Sequence, residues 1–350
     1  MVPLNGTRGD AWLGRLHLDL RGGNGRAEAR TVPRTAAYWL ELGSRPARGA
    51  GAGRAGYPPR GALSAGWDHR RLCPLFAAHF GQVIGRTVIV DNRGGAGGLM
   101  GGAEVSRAAP DGATLIFHSP TSGIAGPMAR RNPPYNPLRG FAPVSVLGFT
   151  PMVLSVNPKL GIATLPQLVD LLRREPGRHS YGSSGIGGVP HLSAELLKLR
   201  AGGLEATHVP YRGAAGAIQD TMAGNLTFVI DTFAPLLQLH QSGQLPAISV
   251  LDEARSPVAP EVRTAWEDGI DVITRNTNWL AAPPATPDAL LAPLAAASAA
   301  VMADPGMKAE LAKFAYEAVV QSRPKDARQA LVAEVELWGS IIRAAGIELE

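Results

Sequence analysis

Three loops rich in small and hydroxyl-bearing residues carry the chemistry that this sequence offers. They are Ser119–Gly123, Gly182–Gly188 and Tyr211–Gly213, and each follows a predicted strand. Ligands of open α/β sheets bind at the carboxyl ends of strands, where glycines let a ligand approach the backbone closely. Free N–H groups at the start of a helix near His191 favour an anion, such as a carboxylate. Any one of these loops, taken alone, could equally be an ordinary polar turn.

The spacing of residues does not match the common enzymatic motifs. A dinucleotide fingerprint starting at Gly95 would need glycine at position 100, which is Met100. A nucleophile elbow starting at Gly182 would need glycine at position 186, which is Ile186. No Walker lysine follows a glycine run, and the histidines show no H-E-x-x-H spacing, so we expect no metal, cofactor or catalytic centre. The histidines that we therefore expect to be packed or surface residues include His79, His118, His208 and His240.

From Leu75 onward the sequence predicts alternating strands and helices, and these elements must position the three loops. The predicted strands are Thr87–Val90, Thr114–Phe117, Met152–Val156, His179–Tyr181, Ala206–Val209, Leu226–Ile230 and Pro246–Val250. The predicted helices are Leu165–Arg174, His191–Arg200, Ala214–Ala223 and a helical C-terminus, Asp288–Ala345, broken near Pro305 and Pro324. Strands that alternate with helices of about ten residues indicate an α/β fold with mostly parallel sheets.

The composition is that of a globular chain with a basic N-terminal segment. Its 350 residues, 45% hydrophobic and 18% charged, allow one large domain or two of ordinary size. The single cysteine, Cys73, excludes an internal disulfide and a thiolate metal cluster. Residues 1–74 hold 12 arginines, no lysine and 5 acidic residues, whereas the rest of the chain is slightly acidic. Because these arginines lack aromatic interleaving and helical periodicity, we expect no nucleic-acid binding.

Short motifs recur in a fixed order from about residue 75 to the end of the chain. They are Val88–Arg93, Gly95–Gly98, Ala109–Gly112, Asn136–Pro137, Phe141–Val144, Tyr181–Gly185, Pro190–Leu192 and His208–Gly213. Together they resemble the Bug family, the extracytoplasmic solute-binding proteins of tripartite tricarboxylate transporters. The resemblance implies a two-lobed, type II-like periplasmic binding protein fold with a hinge. It also implies that a carboxylate-bearing metabolite is held in the cleft and not chemically changed.

The resemblance implies lobe boundaries and a set of ligand-binding residues. Lobe one is expected at 75–153 plus 276–350, and lobe two, with the main ligand loops, at 154–275. The implied ligand-binding residues are Ser119, Thr121, Ser122, Ser183, Ser184, Gly185, Gly187, Gly188, His191, Tyr211, Arg212, Gly213 and Asp231. If its carboxylate faces the cleft, Asp231 would favour an amino or other cationic group on the ligand. The alternative is a surface or helix-capping aspartate.

The front of the chain departs from the family pattern. Family members begin with a signal peptide, a strand and a Pro-Pro-Gly-Gly loop ending in Thr-Asp, whereas residues 57–74 show none of these and residues 1–20 lack an apolar stretch. Read one nucleotide later, codons for residues 57–74 can encode I-R-L-V-V-P-F-P-P-G-G-T-T-D-A-F-A-R. We hypothesise that residues 1–74 are a frameshifted, non-native or disordered segment. Sequencing codons 50–80 of the encoding DNA tests this.

Three functional classes stay open at this stage. The first is a monomeric periplasmic receptor that closes on a citrate-like acid, an acidic amino acid or an aromatic carboxylate, needs no cofactor, and delivers its ligand to the membrane components of a tripartite tricarboxylate transporter. The second is an α/β enzyme acting on a carboxylate. The third is an intracellular carboxylate sensor or a nonfunctional remnant. By resemblance the location is periplasmic; without a readable signal peptide, the chain as written could be cytoplasmic.

Overall fold

The computed structural model describes residues 67–91 and 96–349, which form helices interleaved with strands. The helices are α1 (Trp67–Ile84), α2 (Leu99–Val105), α3 (Gly126–Met128), α4 (Leu165–Arg174), α5 (Val189–Arg200), α6 (Ala214–Ala223), α7 (Phe233–Gln241), α8 (Asp288–Ala303), α9 (Pro305–Ala312) and α10 (Pro324–Ala344). The strands are β1 (Ile116–His118), β2 (Ala142–Val156), β3 (Ser180–Ser183), β4 (Thr207–Pro210), β5 (Phe228–Thr232), β6 (Ala247–Val250), β7 (Arg275–Ala282) and β8 (Glu317–Ala318). The α/β class predicted from the sequence is confirmed.

The sheet is mixed, in the order β1-β7-β2-β5-β3-β4, with β6 and β8 also paired with β2. The described strands β3, β4 and β5 pair in parallel, as expected of strands joined by helical crossovers. The long strand β2 instead pairs antiparallel with β5, β6, β7 and β8, and β1 pairs antiparallel with β7. The expectation of mostly parallel strands is therefore corrected, because β2 and β7 each lie between strands that run in the opposite direction.

Strand β2 changes partners along its length. Ala142–Pro151 pairs with β7, whereas Met152–Val156 pairs with β5. At the change, Pro151 lies opposite Arg275, and the Met152 N–H donates to the Thr274 carbonyl at 3.2 Å. The chain thus passes twice at one place between the strands that pair with β5 and those that pair with β1, as a hinge between two lobes requires. This crossing supports the lobe boundaries near residues 153 and 275, which stay a prediction.

Several sequence-predicted elements match and others do not. Helices α4 and α6 have the predicted bounds, and the C-terminal helices break before Pro305 and Pro324 as expected. The predicted strand Thr87–Val90 is wrong: the segment pairs with no strand in the described part of the chain, and Ile89 is 85% exposed. Helix α7 was not predicted from the sequence, because Pro235 is a residue that usually interrupts a helix. Proline is nevertheless tolerated in the first turn of a helix, where Pro235 lies.

The boundary predicted at residues 74/75 lies inside α1. Residues 67–74 are helical, and Leu72 is buried against the core that α1 forms with α8. Whether these eight residues belong to a frameshifted, non-native or disordered segment stays a prediction. The rest of that segment, residues 1–66, and residues 92–95, which belong to the motifs Val88–Arg93 and Gly95–Gly98, lie outside the described residues.

No described helix is, by itself, long and apolar enough to cross a membrane; α8 and α9 together pass that test, but they are bent by 68° relative to each other. Among the same residues, no group of three or more histidine, cysteine, aspartate or glutamate side chains is placed to share a metal ion.

Candidate functional site

The first candidate loop follows β1 and is held by close packing. Ser119 and Ser122 are buried, and the Ser122 hydroxyl lies 3.3 Å from both the N–H and the carbonyl of Ser119. The Tyr135 hydroxyl donates to the Ser122 carbonyl at 2.5 Å. A Cβ at Gly123 would lie 1.9 Å from the His118 ring, so the backbone and this ring fit only without a side chain there. Ser119 and Ser122 therefore shape the loop, and Thr121 is left half-buried beside them.

The second candidate loop links β3 to α5 and needs glycine at two positions. Gly185 has φ +147° and Gly187 has φ +70°, conformations that L side chains rarely adopt. Ser183 is fully buried, Ser184 and Gly185 are half-buried, and Gly187 and Gly188 are buried. Between the glycines, Ile186 is 50% exposed, so the loop presents its apex to solvent.

The two loops meet at the start of α5. The Val189 N–H, in the first turn of that helix, donates to the Thr121 Oγ1 at 3.1 Å. The Gly187 N–H donates to the His191 Nδ1 at 3.1 Å. Within the described part of the chain, the N–H groups of Ile186 and Gly188 have no acceptor of their own. The positive end of the helix dipole strengthens the attraction of such groups for an anion.

The third candidate loop borders the second and is oriented toward α6. The Tyr211 N–H donates to the Ser183 carbonyl at 3.0 Å. The Tyr211 hydroxyl donates to the Asp220 carboxylate, and burial together with this carboxylate raises the pKa of Tyr211 to about 12. Arg212 is exposed, and Gly213, with φ +117°, precedes the first residue of α6. The loop thus contributes backbone and a cationic side chain, while the phenol is engaged elsewhere.

Asp231 lies at the carboxyl end of β5. The parallel register pairs Gly182 of β3 with Val229 of β5, so Asp231 lies two residues further on, level with the start of the second loop. It is buried, and its Oδ1 accepts the Thr232 N–H at 2.8 Å and the Thr232 hydroxyl at 3.4 Å. One carboxylate oxygen therefore stabilises the turn that begins α7. A ligand-binding role for Asp231 stays a prediction.

A buried polar cluster beneath the second loop was not predicted from the sequence as a functional unit. The Tyr181 hydroxyl donates to the Glu195 Oε1 at 2.5 Å, and the Lys198 Nζ lies 2.8 Å from the same oxygen. The His191 Nε2 lies 3.9 Å from it. His208 stacks against His191, and burial lowers the pKa of His191 to about 4 and that of His208 to about 3. The i,i+4 spacing of His191 and Glu195 is the signal that could have indicated this cluster.

The structure therefore brings the first loop, the second loop and His191 together, with Tyr211 bonded to the second loop and Asp231 on the adjacent strand. The features available for binding are backbone N–H groups, hydroxyls and the N-terminus of α5. These groups suit a small anionic solute held by many hydrogen bonds. The ligand contacts of the individual side chains stay predictions.

Known proteins resemble this chain over most of its length. The model of the tripartite tricarboxylate transporter family receptor matches residues 75–347. Protein BugT of Bordetella pertussis (strain Tohama I) is 29% identical over 299 residues, covering 84% of this chain and 88% of BugT.

Solved structures agree with the sequence relatives. The structure of Rpa4515 of R. palustris with adipate has a TM-score of 0.73 and 28% identity, and the match covers 82% of this chain and 96% of that one. The structure of the periplasmic binding protein BugD has a TM-score of 0.71 and 25% identity, with the same coverage. These matches confirm the periplasmic binding protein fold. The chain therefore belongs to the tripartite tricarboxylate transporter receptor family, the Bug-type periplasmic solute-binding proteins.

Proposed function

We propose that this chain is an extracytoplasmic receptor that captures a small carboxylate for a tripartite tricarboxylate transporter. The observation that carries the proposal is the meeting of two hydroxyl- and glycine-rich loops at the start of α5, where the Thr121 hydroxyl bonds to the Val189 N–H at 3.1 Å. The two loops belong to segments that are more than 60 residues apart in the sequence. A solute held between them would favour the closed arrangement of two lobes over the open one.

The chemistry of the loops favours a carboxylate group as the recognised part of the solute. The N–H groups of Ile186 and Gly188 and the dipole of α5 act on an anion without adding a formal charge to the cleft. Gly187 and Gly188 carry no Cβ, so no side chain of their own separates their backbone from a bound solute. The relative Rpa4515, solved with adipate, supports a small dicarboxylate as the first compound to test.

Asp231 and Arg212 would favour different classes of carboxylate solute. If Asp231 faces the solute, an acidic amino acid would bind better than a dicarboxylate, because its amino group would pair with the Asp231 carboxylate. If the carboxylate serves only the start of α7, the exposed Arg212 would favour a second acidic group on the solute. Comparison of L-glutamate with adipate separates these two cases.

Binding is tested by isothermal titration calorimetry of the full chain with adipate, citrate, L-glutamate and benzoate at pH 7. We expect at least one of the four to bind, and binding of none would overturn the proposal. Thr121→Val removes the hydroxyl that bonds to the Val189 N–H and should weaken binding about fivefold, the equivalent of about 1 kcal/mol for one hydrogen bond. The matched control Thr207→Val changes an exposed threonine on β4 and should leave the affinity unchanged. Equal affinity of Thr121→Val and the wild type would place the site elsewhere.

The alternative of an enzyme has one observation in its favour. The Ser183 Oγ and the His208 Nε2 lie 2.7 Å apart, the distance expected of a nucleophile and its general base. However, Ser183 has 0% exposure and its hydroxyl also lies 3.1 Å from the Gly185 carbonyl, so a substrate has no path to the oxygen in this arrangement. The pair therefore supports the loop in our proposal and performs no catalysis. Unchanged solute recovered after overnight incubation with the protein would agree with this assignment, and turnover would contradict it.

We further propose that the receptor acts as a monomer in the periplasm and delivers its solute to the membrane components of the transporter. Family membership supports the compartment. Fractionation of cells that express the tagged native gene tests it, since an intracellular sensor would be recovered with the cytoplasm. Light scattering of the purified chain tests the monomeric state.

A further inference from the structure

Four aromatic rings form a column beneath the second loop. His191 and His208 are stacked face to face, with ring centroids 3.8 Å apart and an interplanar angle of 11°. The Tyr181 ring lies 5.0 Å from His208, and the Phe228 ring lies 5.2 Å from Tyr181. The column therefore connects α5, β4, β3 and β5, and its outermost ring, His191, lies directly under the loop.

Both histidines are bonded to the loop above them. The Gly187 N–H donates to the His191 Nδ1 at 3.1 Å, and the Ser183 Oγ lies 2.7 Å from the His208 Nε2. The Ser183 Oγ is also 3.1 Å from the Gly185 carbonyl. The histidine pair thus holds the loop near both of its ends, at Ser183 and at Gly187.

We propose that His191 and His208 are positioning residues that fix the Ser183–Gly188 loop in its binding shape, and that a proton added to this pair releases the loop and with it the solute. The release of solute rests on the proposed function, whereas the release of the loop does not.

The hydrogen bonds of His191 explain why a proton would act on the loop. Because its Nδ1 accepts the Gly187 N–H, the neutral ring carries its proton on Nε2, which faces the Glu195 Oε1 at 3.9 Å. A second proton must bind to Nδ1, where it would meet the Gly187 N–H as donor against donor. Protonation of His191 therefore breaks the bond between the ring and the loop.

The groups around the pair favour the neutral rings at pH 7. Glu195 favours a charge on His191, but Lys198, on the same helix, opposes it, and a charge on either ring opposes a charge on the other. Tyr181 of β3, Phe228 of β5 and the Thr121 hydroxyl of the first loop are uncharged at this pH. Burial lowers the pKa of both histidines, so the loop is held at neutral pH and released as the pH falls toward 4.

Hydrogen exchange of the full chain without any solute tests the release of the loop. The readout is the protection of the hydrogen-bonded amides of Gly185, Gly187 and Val189, corrected for the intrinsic rate at each pH, with amides of α6 followed as a check against global unfolding. In the wild type we expect protection of the loop to fall at least about tenfold between pH 7 and pH 4 while α6 stays protected. A flat wild-type profile would overturn the proposal.

Matched variants distinguish titration of the pair from general packing. In His191→Asn an amide oxygen can replace Nδ1 as acceptor and cannot be protonated there, so the loop profile should become flat. The control is His240→Asn: His240 accepts the Ala247 N–H on its Nδ1 at 3.2 Å and lies 2.8 Å from Glu261, but it is remote from the loops. This control should retain the wild-type profile. A His191→Asn profile that still falls with pH would overturn the proposal.

Calorimetry with adipate at pH 7 and pH 4.5 then connects the loop to the solute. Wild-type affinity should fall more between these pH values than the affinity of His191→Asn does, a comparison that cancels titration of adipate itself. Equal losses in the two proteins would contradict the release of solute by the pair. If adipate binds to neither protein at pH 7, that failure concerns the proposed solute, and the exchange profiles still decide whether the pair positions the loop.

Discussion

The first loop, Ser119–Gly123, is held by close packing of backbone against rings, whereas the second, Gly182–Gly188, is held by hydrogen bonds to two imidazoles. In the first, a Cβ at Gly123 would lie 1.9 Å from the His118 ring. In the second, a Cβ at Gly187 would lie no closer than 3.4 Å to a neighbouring atom. The difference suggests a division of roles, in which the first loop is a fixed surface and the second is an adjustable one whose shape depends on protonation.

The largest expected effect on stability is that of a Gly→Ala substitution, which adds one methyl group to a loop. Gly123→Ala would force its Cβ into the buried His118 ring and should cost about 3 kcal/mol or more in the free energy of unfolding. Gly187→Ala would place its Cβ in ordinary van der Waals contact with Leu349 and Ala129, at 3.4 and 3.5 Å, so it carries only the cost of φ +70°, about 1–2 kcal/mol. Urea denaturation of both variants measures the two costs. Equal costs would show that the first loop is as adaptable as the second.

The second effect is the pH dependence of stability that the histidine pair confers. Burial lowers the pKa of His191 from its ordinary 6.5 to about 4, so the unfolded chain binds more protons than the folded one between these values. Stability should therefore fall as the pH drops from about 6.5 to about 4, by on the order of 3 kcal/mol. Urea denaturation from pH 4 to pH 8 measures this slope.

The double variant His191→Asn/His208→Gln should lose that part of the slope, because neither replacement titrates. Gln at position 208 can still accept a hydrogen bond near the place of Nε2, so the variant removes titration with little change in hydrogen bonding. The control His240→Asn should keep the wild-type slope. If the double variant follows the wild type down to pH 4, the acid sensitivity arises outside the pair.

The overall fold was more predictable than the supports of its site. The period of apolar residues located α4 and α6 to the residue, and the Ser/Gly composition located both loops. Strand β7 was missed because its residues 277–282 are buried on both faces, which removes the alternation typical of a half-exposed strand. Burial of this kind leaves little sequence pattern to recognise.

The histidine column could not be predicted because it depends on tertiary packing. Tyr181 and His208 are adjacent only because β3 and β4 pair in that register, and His191 reaches them only when α5 packs on the sheet. The segment Thr87–Val90 failed for a related reason. Val88 packs against the core while Ile89 is exposed, an alternation that fits a strand, but a strand also needs a partner and the described residues supply none.

The third expected effect is a pH dependence of stability opposite in sign to that of the histidine pair. It arises in α10, which packs on both α5 and the turn Thr121–Ala125. Glu334 of that helix is buried, and burial raises its pKa from 4.5 to about 7 despite a hydrogen bond from the Trp338 Nε1 at 3.4 Å. A raised carboxyl pKa means that stability is lost as the pH rises from about 4.5 through about 7. Glu334→Gln should therefore be more stable than the wild type at pH 8, by on the order of 3 kcal/mol.

Thermal and urea denaturation at pH 5 and pH 8 measure this gain. The control is Glu336→Gln, an exposed position on the same helix, which should leave the pH dependence unchanged. A Glu334→Gln variant that is no more stable than the wild type at pH 8 would mean that the carboxylate is solvated at that pH. Because the slopes of Glu334 and of the histidine pair have opposite signs, a stability maximum between pH 5 and pH 7 would be the combined result.

The smallest expected effect is the loss of a single tyrosine hydroxyl that forms a hydrogen bond at one of the two loops. Tyr135→Phe removes the O–H that donates to the Ser122 carbonyl and should cost about 1 kcal/mol, because that carbonyl is buried in the first loop and loses its partner. Tyr211→Phe removes a hydroxyl that donates to the half-buried Asp220 beside the second loop, and because water can still reach this carboxylate and replace the hydroxyl, we expect no measurable change in stability. Urea denaturation at pH 7 compares the two variants. A larger loss for Tyr211→Phe would contradict the comparison between the loops, since the rigid support would then lie beside the second loop and not beside the first.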